Sequence, residues 1–352
     1  MAAWEGIPGL KGAKIKLLFA DHRSDPARGA DLAKGLIKDQ KVAGILGCYN
    51  SSVTKSVSTV CERFGVPMIN SNSTSPPLTT RGFKWFWRTT PNNITFTHDF
   101  YRFLKGLTEG KVKKLGKVPM ADIKNVAIAG EETEFGSTGL EVLEKLAPKY
   151  GFTVVKAIKY PHQAPDLTSE VQSIRASKPG VVALVPYISD ALLYMRTFKS
   201  QRFSPNIIWG QDAGTVQPEF AKNLQKDAVG VLTRTVFVAK ITDVKPVAKQ
   251  INDLFKKKSG EDFSGTSARA FTGLQAWAYV LNKAKSTKPK AIQAAANAIE
   301  IPGKELIMPW KGIKFGGEQK GEMGQNIWGS GMIGQWQVGK GETVPHLEAV
   351  YP

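Results

Sequence analysis

Two short stretches concentrate side chains suited to holding a ligand. Residues 48–54 read CYNSSVT and residues 70–77 read NSNSTSPP. Each follows an apolar run, VAGILG at 42–47 and VPMIN at 66–70. The hydroxyls and amides of Ser51, Ser52, Asn72, Ser73 and Thr74 can donate hydrogen bonds to an anionic oxygen. Serines that open a helix also stand beside free backbone N–H groups, which attract a carboxylate. One such serine can equally be a plain helix cap, and the second stretch can equally be a polar surface loop. Two apolar runs that both end in hydroxyl clusters favour a ligand. Pro76 and Pro77 stiffen the exit of the second stretch, so less ordering is lost on binding.

Three more residues stand where strand-like runs end. Phe135 follows NVAIAG (125–130), Tyr187 closes GVVALVPY (180–187), and Asp212 lies in NIIWGQDAG (206–214). An acid at a strand tip is ordinarily a solvated cap. Facing hydroxyls that hold a carboxylate, it becomes a partner for an ammonium group.

Signatures of covalent or metal chemistry are missing. The sequence has no G-x-S-x-G elbow, Walker loop, H-E-x-x-H or G-x-G-x-x-G fingerprint. His22, His98, His162 and His346 are scattered singly and read as surface residues rather than general bases. Cys48 and Cys61 are too few for a metal centre and read as buried thiols unless the fold brings them together. No catalytic residue, metal or cofactor is expected.

These residues need a scaffold that gathers strand ends. The 352 residues exceed what one core usually serves, so two domains are expected. Strand-like runs at 14–21, 42–47 and 66–70 alternate with helical patterns at 25–39, 52–65 and 97–107. A second series follows. Its strands lie at 125–130, 152–160, 180–187 and 206–212, and its helices at 136–150, 166–177 and 189–200. Alternation on this spacing predicts βαβ units and mostly parallel sheets, in two doubly wound lobes. In such sheets ligands bind beyond the carboxyl ends of the strands. After a strand at 229–238 come helices at 245–258 and 265–285, then a Gly- and Trp-rich tail with strands such as 331–338.

The formal net charge is +18, with 42% hydrophobic and 22% charged residues. The basic residues are dispersed. Their densest groups, KVKKLGK (111–117) and FKKKSG (255–260), do not interleave with aromatics, so specific nucleic-acid binding is not expected. No apolar run of about 18 residues occurs, and MAAWEGIPGLKG lacks the apolar stretch of a secretion signal.

The ordered set of motifs resembles the type I periplasmic binding proteins, and within them the leucine/isoleucine/valine-binding group that serves ABC importers. The motifs are Asp21 to Asp25-Pro26, Gly47 to Ser51-Ser52 and Thr54, Ser71 to Thr74 with Pro77-Leu78-Thr79, and Arg88-Thr89-Thr90-Pro91. PDLTSEVQSIRASKPGVV (165–182) resembles the second lobe, and IMPWKG (307–312) the closing segment.

The resemblance implies an α/β fold of two Rossmann-like doubly wound lobes. Three hinge crossovers are expected near 108–124, 229–240 and 300–310. That gives residues 1–117 plus 239–305 as one lobe, and 118–238 plus 306–352 as the other. It implies a periplasmic, non-enzymatic receptor for an amino acid or a similar small molecule, with ABC permease subunits as partners and membrane contact only through them. A ligand-sensing domain of the same fold, or a binder of amides, urea or aromatic acids, stands as the alternative; an amidase-like enzyme is a more distant one.

In the family the first-lobe loops hold the α-carboxylate, which here means Ser51, Ser52, Asn72, Ser73 and Thr74. Asp212 takes the place of an acid that is a longer Glu in the leucine/isoleucine/valine proteins. Phe135 stands where a Tyr is common, and Tyr187 matches the first of two tyrosines, the second being Ile188 here. Family members also carry a strand and a helix before the segment matching GIPGLKGAKIKLLFADH, with that strand lying between those matching 14–20 and 42–47. The first βα unit, of about 30 or more residues, is therefore expected to be missing. Strand 14–20 must then either pair with 42–47 or leave backbone groups unpaired.

Overall fold

The computed structural model describes residues 5–316 and 323–351. The chain forms two compact units. One takes residues up to Asn92 with Ile241–Phe263 and Ser267–Ser330; the other takes Asn93–Lys240, Ser264–Thr266 and the chain from Gly331 onward.

The first unit is built on a short parallel sheet of β1 (Ile45–Leu46), β2 (Met68–Asn70) and β3 (Phe86–Arg88), in that order. The helix Pro26–Lys38 starts as its sequence dictates. Asp25 accepts hydrogen bonds from the amides of Ala27 (2.7 Å) and Arg28 (2.9 Å), and Pro26 fills the first helical position. The helix Ser51–Phe64 ends at Gly65 in the left-handed conformation (φ 64°). Val53, Val57 and Cys61 from this helix close on Ile45, Met68, Leu78 and Phe86 to form the core. Cys48 and Cys61 are free thiols.

Residues 14–20 differ from the expectation. They form no strand, make no backbone hydrogen bond among the described residues, and are exposed, with Phe19 at 91%. The cause is the lack of a neighbour. The amides of Ile45 and Gly47 donate to Pro67 and Ile69 across the β1–β2 ladder, so the alternation turns the Leu46 N–H and C=O to the other edge. That edge borders an apolar groove lined by Ile15, Leu17, Phe19, Leu46, Leu274 and Trp277. Gly44 lets the Trp277 ring approach, because a Cβ there would stand 2.2 Å from it. The antiparallel pair β9 (Glu300–Pro302) and β10 (Gly312–Lys314) completes the strands of this unit.

The second unit has a seven-stranded sheet. Its strands are β4 (Asn125–Glu131), β5 (Thr153–Tyr160), β6 (Val181–Val185), β7 (Ile207–Gly210), β8 (Leu232–Thr235), β11 (Met332–Gln337) and β12 (His346–Tyr351), ordered β12-β11-β8-β7-β6-β4-β5. Strands β4 to β8 run parallel, and the tail adds β11 and β12 antiparallel. β4 and β6 are almost wholly buried, which suits a parallel sheet covered on both faces.

Apart from the short excursion Ser264–Thr266, the changes of unit fall at 92/93, 240/241 and 330/331. The second meets the edge of the expected 229–240 stretch; the other two differ from 108–124 and 300–310. The reason lies in the helix Asn93–Thr108, which buries Phe96, Phe100, Tyr101 and Phe103. Phe100 stacks on Trp209 at 4.0 Å, and the Tyr101 hydroxyl donates to the Leu143 carbonyl at 2.8 Å, so this helix belongs to the second unit.

Candidate functional site

In the first unit the candidate residues sit beyond the carboxyl ends of β1 and β2, which pair in register. Asn70, the last residue of β2, ties the two strand tips together. Its side-chain amide donates to the carbonyls of Gly47 and Cys48, both at 2.9 Å, and its side-chain oxygen accepts from the Ser73 amide at 3.0 Å. The Ser73 hydroxyl shares a 2.6 Å bond with Thr54 and lies 3.0 Å from the Cys48 carbonyl. Of the expected carboxylate donors, Ser73 is therefore engaged in bracing the loops.

Ser51 and Thr74 are different. Both are buried, and neither hydroxyl oxygen has a hydrogen-bond partner. The same holds for Asn72 Oδ1, while its amide donates to Ser71. Ser52 is half-buried. The helix cap is Asn50, which leaves Ser51 as the first helical residue beside the free amides of that helix. Buried hydroxyls without partners cost about 1–3 kcal/mol each. Ser51 stands at a helix N-terminus, a place that favours an anion.

Arg88 braces the loop that carries Thr74. Fully buried, it donates to the carbonyls of Ser75 (2.6 Å) and Ser73 (3.3 Å), to Thr79 Oγ1 (3.2 Å) and to Gln325 Oε1 (2.7 Å). Asn70 escapes sequence reasoning, and Arg88 enters it only as part of a motif, without a role. The one signal was a polar residue closing an apolar strand in each case.

In the second unit Phe135, Tyr187 and Asp212 stand beyond the carboxyl ends of β4, β6 and β7, and all three are buried. The Phe135 and Tyr187 rings lie 5.3 Å apart, tilted by 43°. Asp212 has φ 60° and ψ −145°, a conformation that is sparsely populated for any residue but glycine. Its carboxylate pairs at 3.1 Å with Arg234 of β8, a fully buried guanidinium centred 3.3 Å from the Phe96 ring centroid. Glu131 is also engaged. It accepts from the amides of Thr133 and Gly136, both at 2.6 Å, and from the Thr133 hydroxyl at 2.8 Å. His162, expected at the surface, lies half-buried against Tyr187, ring centroids 5.2 Å apart, with its Nδ1 at 3.6 Å from the buried Asp190 carboxylate.

Replacing Asn70 by alanine is expected to destabilise the first unit by about 1–3 kcal/mol, because two carbonyls and one amide lose their partner together. Urea unfolding of the variant checks this.

Among the described residues no group of acids, histidines and cysteines could hold a metal ion, and no helix is long and apolar enough to cross a membrane. A model of a periplasmic binding protein family matches residues 2–333. The Leu/Ile/Val-binding protein homolog 7 of Brucella suis is 28% identical over 348 residues, 98% of this chain and 82% of the relative. Homolog 8 of Brucella abortus is 30% identical over 354 residues, with the same coverage. Among solved structures, the leucine-binding protein LivK of Thermotoga maritima superposes with a TM-score of 0.79 at 19% identity, covering 99% of this chain and 93% of that one. An ABC-transporter solute-binding protein of Rhodopseudomonas palustris, in complex with 4-hydroxybenzoate, reaches 0.79 at 17% identity, covering 97% and 87%. These relatives and neighbours are solute-binding proteins, not enzymes. The chain belongs to the periplasmic binding protein family, in its type I, Leu/Ile/Val-binding branch.

Proposed function

We propose that this chain is the extracytoplasmic receptor of an ABC importer. It captures a small solute that carries a carboxylate and presents it to the permease. The observation that carries this reading is the pair of buried, unpartnered hydroxyls of Ser51 and Thr74 at adjacent strand tips, beside a helix N-terminus. Ser52 and Asn72 complete that half. Phe135, Tyr187 and Asp212 are the candidate residues of the second unit.

For an amino acid, Asp212 receives the ammonium group. One observation favours a second reading, in which the solute has a carboxylate but no ammonium: the charge of Asp212 is already matched by Arg234. Both kinds of solute fit the company the chain keeps, since its structural neighbours include proteins bound to isoleucine and to 4-hydroxybenzoate.

A thermal-shift screen with amino acids, amides and aromatic acids tests the reading, followed by a search for product with whichever compound stabilises the protein. A stabilising carboxylate recovered unchanged is the expected result. Turnover would make the protein an enzyme, and no shift from any carboxylate would remove the reading. Thr74→Val sharpens the test. The hydroxyl has no partner in the free protein, so stability should hold or rise, while affinity for the stabilising solute falls by about 1.5–3 kcal/mol, the worth of a hydrogen bond to a charged group. Calorimetry reads that difference.

A further inference from the structure

His162 follows β5, the edge strand next to β4, and stands beside Tyr187 at the tip of β6. Phe135, at the start of the helix after β4, meets Tyr187 from its own side. Three rings thus line three neighbouring strand ends. Behind His162 lies Asp190, in the first turn of the helix Ile188–Ser200, only 1% exposed, while the imidazole is 26% exposed. Neither His162 Nδ1 nor Asp190 Oδ2 has a hydrogen-bond partner, although they face each other at 3.6 Å. A buried carboxylate behind an imidazole orients the ring and leaves its outer nitrogen for another group.

The charges at these strand ends decide what that group is. Asp212 is matched by Arg234, and Glu131 accepts three hydrogen bonds at its helix start. With His162 protonated, Asp190 is matched too, and no buried carboxylate in this set remains for an ammonium. With His162 neutral, the buried charge of Asp190 stands uncompensated and repels an anion. Resting on the carboxylate reading above, we propose that His162 determines specificity by contacting the solute, and that it selects an aromatic carboxylate over a zwitterionic α-amino acid. The flat group packs on Phe135 and Tyr187, and the imidazolium faces it.

The groups around His162 agree. The Asp190 carboxylate lifts the imidazole above its usual range, against the lowering effect of burial, and Glu131 of β4 and Glu132 just after it add to the rise. Affinity for an aromatic carboxylate therefore belongs to the protonated form and declines as pH rises through the raised value.

The probes are 4-hydroxybenzoate and L-leucine, titrated by calorimetry into the whole protein at about pH 6 and about pH 8.5. Expected is binding of 4-hydroxybenzoate in preference to leucine, weakening about tenfold toward the higher pH. His162→Gln should bind it about tenfold more weakly at the lower pH and lose the pH dependence. His162→Lys should restore affinity without the pH dependence, and Asp190→Asn should move the transition to lower pH. A purely structural His162 would move none of these. Unchanged affinity and pH profile in His162→Gln overturns the inference. So does binding of leucine without 4-hydroxybenzoate, which leaves the importer reading standing. If the whole carboxylate screen is silent, both fall.

Discussion

Asp212→Asn is expected to weaken the second unit before any solute is added. The Arg234 guanidinium is fully buried, packed over Phe96, with the Asp212 carboxylate at 3.1 Å and Asp99 as a second acid that acts on it. Removing one member of such a pair leaves a charge in a medium that solvates it poorly, which typically costs about 3–5 kcal/mol. Replacing both, Asp212→Asn with Arg234→Met, should recover most of the loss, because an apolar side chain of similar length can occupy the space. A double-mutant cycle in urea isolates the pair. If Asp212 serves only a ligand, the single variant unfolds like the wild type and the cycle shows no coupling. Binding adds a separate readout. Should an amino acid prove to be the solute, the same variant loses about a further 2–5 kcal/mol of affinity, whereas for a solute without an ammonium group the binding loss is small. The left-handed backbone at Asp212 (φ 60°) fits a residue held in place by its surroundings.

Which parts of this were legible follows from how local each cause is. The helix that begins at Asp25-Pro26 and the end of the next one at Gly65 depend on a few neighbouring residues, and the structure has both. The strand tips carrying Ser51, Thr74, Tyr187 and Asp212 follow from apolar runs that stop at polar residues, and runs buried on both faces are hard to mistake. What stayed hidden depends on partners far along the chain. Ser73 and Thr74 look alike in sequence. Ser73 is consumed by Thr54 and Cys48, 19 and 25 residues away, while Thr74 is left without a partner. Nothing near Asp212 announces Arg234, and nothing near His162 announces Asp190. The pattern at 97–107 predicts a helix and the structure has one at Asn93–Thr108, but its aromatic face, which assigns it to the second unit, is decided by Trp209 and Leu143. Residues 14–20 have the composition of a strand, yet a strand exists only where another offers a ladder.

That last point leads to an expected difference between the two units. In the second, β4 and β6 are buried and flanked on both sides by hydrogen-bonded neighbours. In the first, the sheet holds three short strands among the described residues, and one edge of β1 faces a groove with Ile15, Leu17 and Phe19 exposed beside it. An open edge and exposed apolar side chains mean less area removed from water and fewer backbone bonds held against it. The first unit should therefore open well before the second. Hydrogen exchange on the solute-free protein is the direct measurement, because protection spans the range from near zero at loosely held segments to the full unfolding free energy in core strands. Amides of residues 15–19 and of Leu46 should exchange close to unfolded rates, those of Val126–Ala129 and Val181–Val185 by the slowest openings in the molecule. Urea unfolding should show two steps, the earlier one reported by Trp87 of the first unit and the later one by Trp209 of the second, each buried in its own unit. A single transition seen equally by both tryptophans, with Leu46 as protected as Ala183, would mean that the open edge of β1 costs the first unit nothing. Phe19→Ser supplies the control. At 91% exposure it contributes little burial to lose, so the first step should not shift, and a large shift would show that Phe19 is covered in solution.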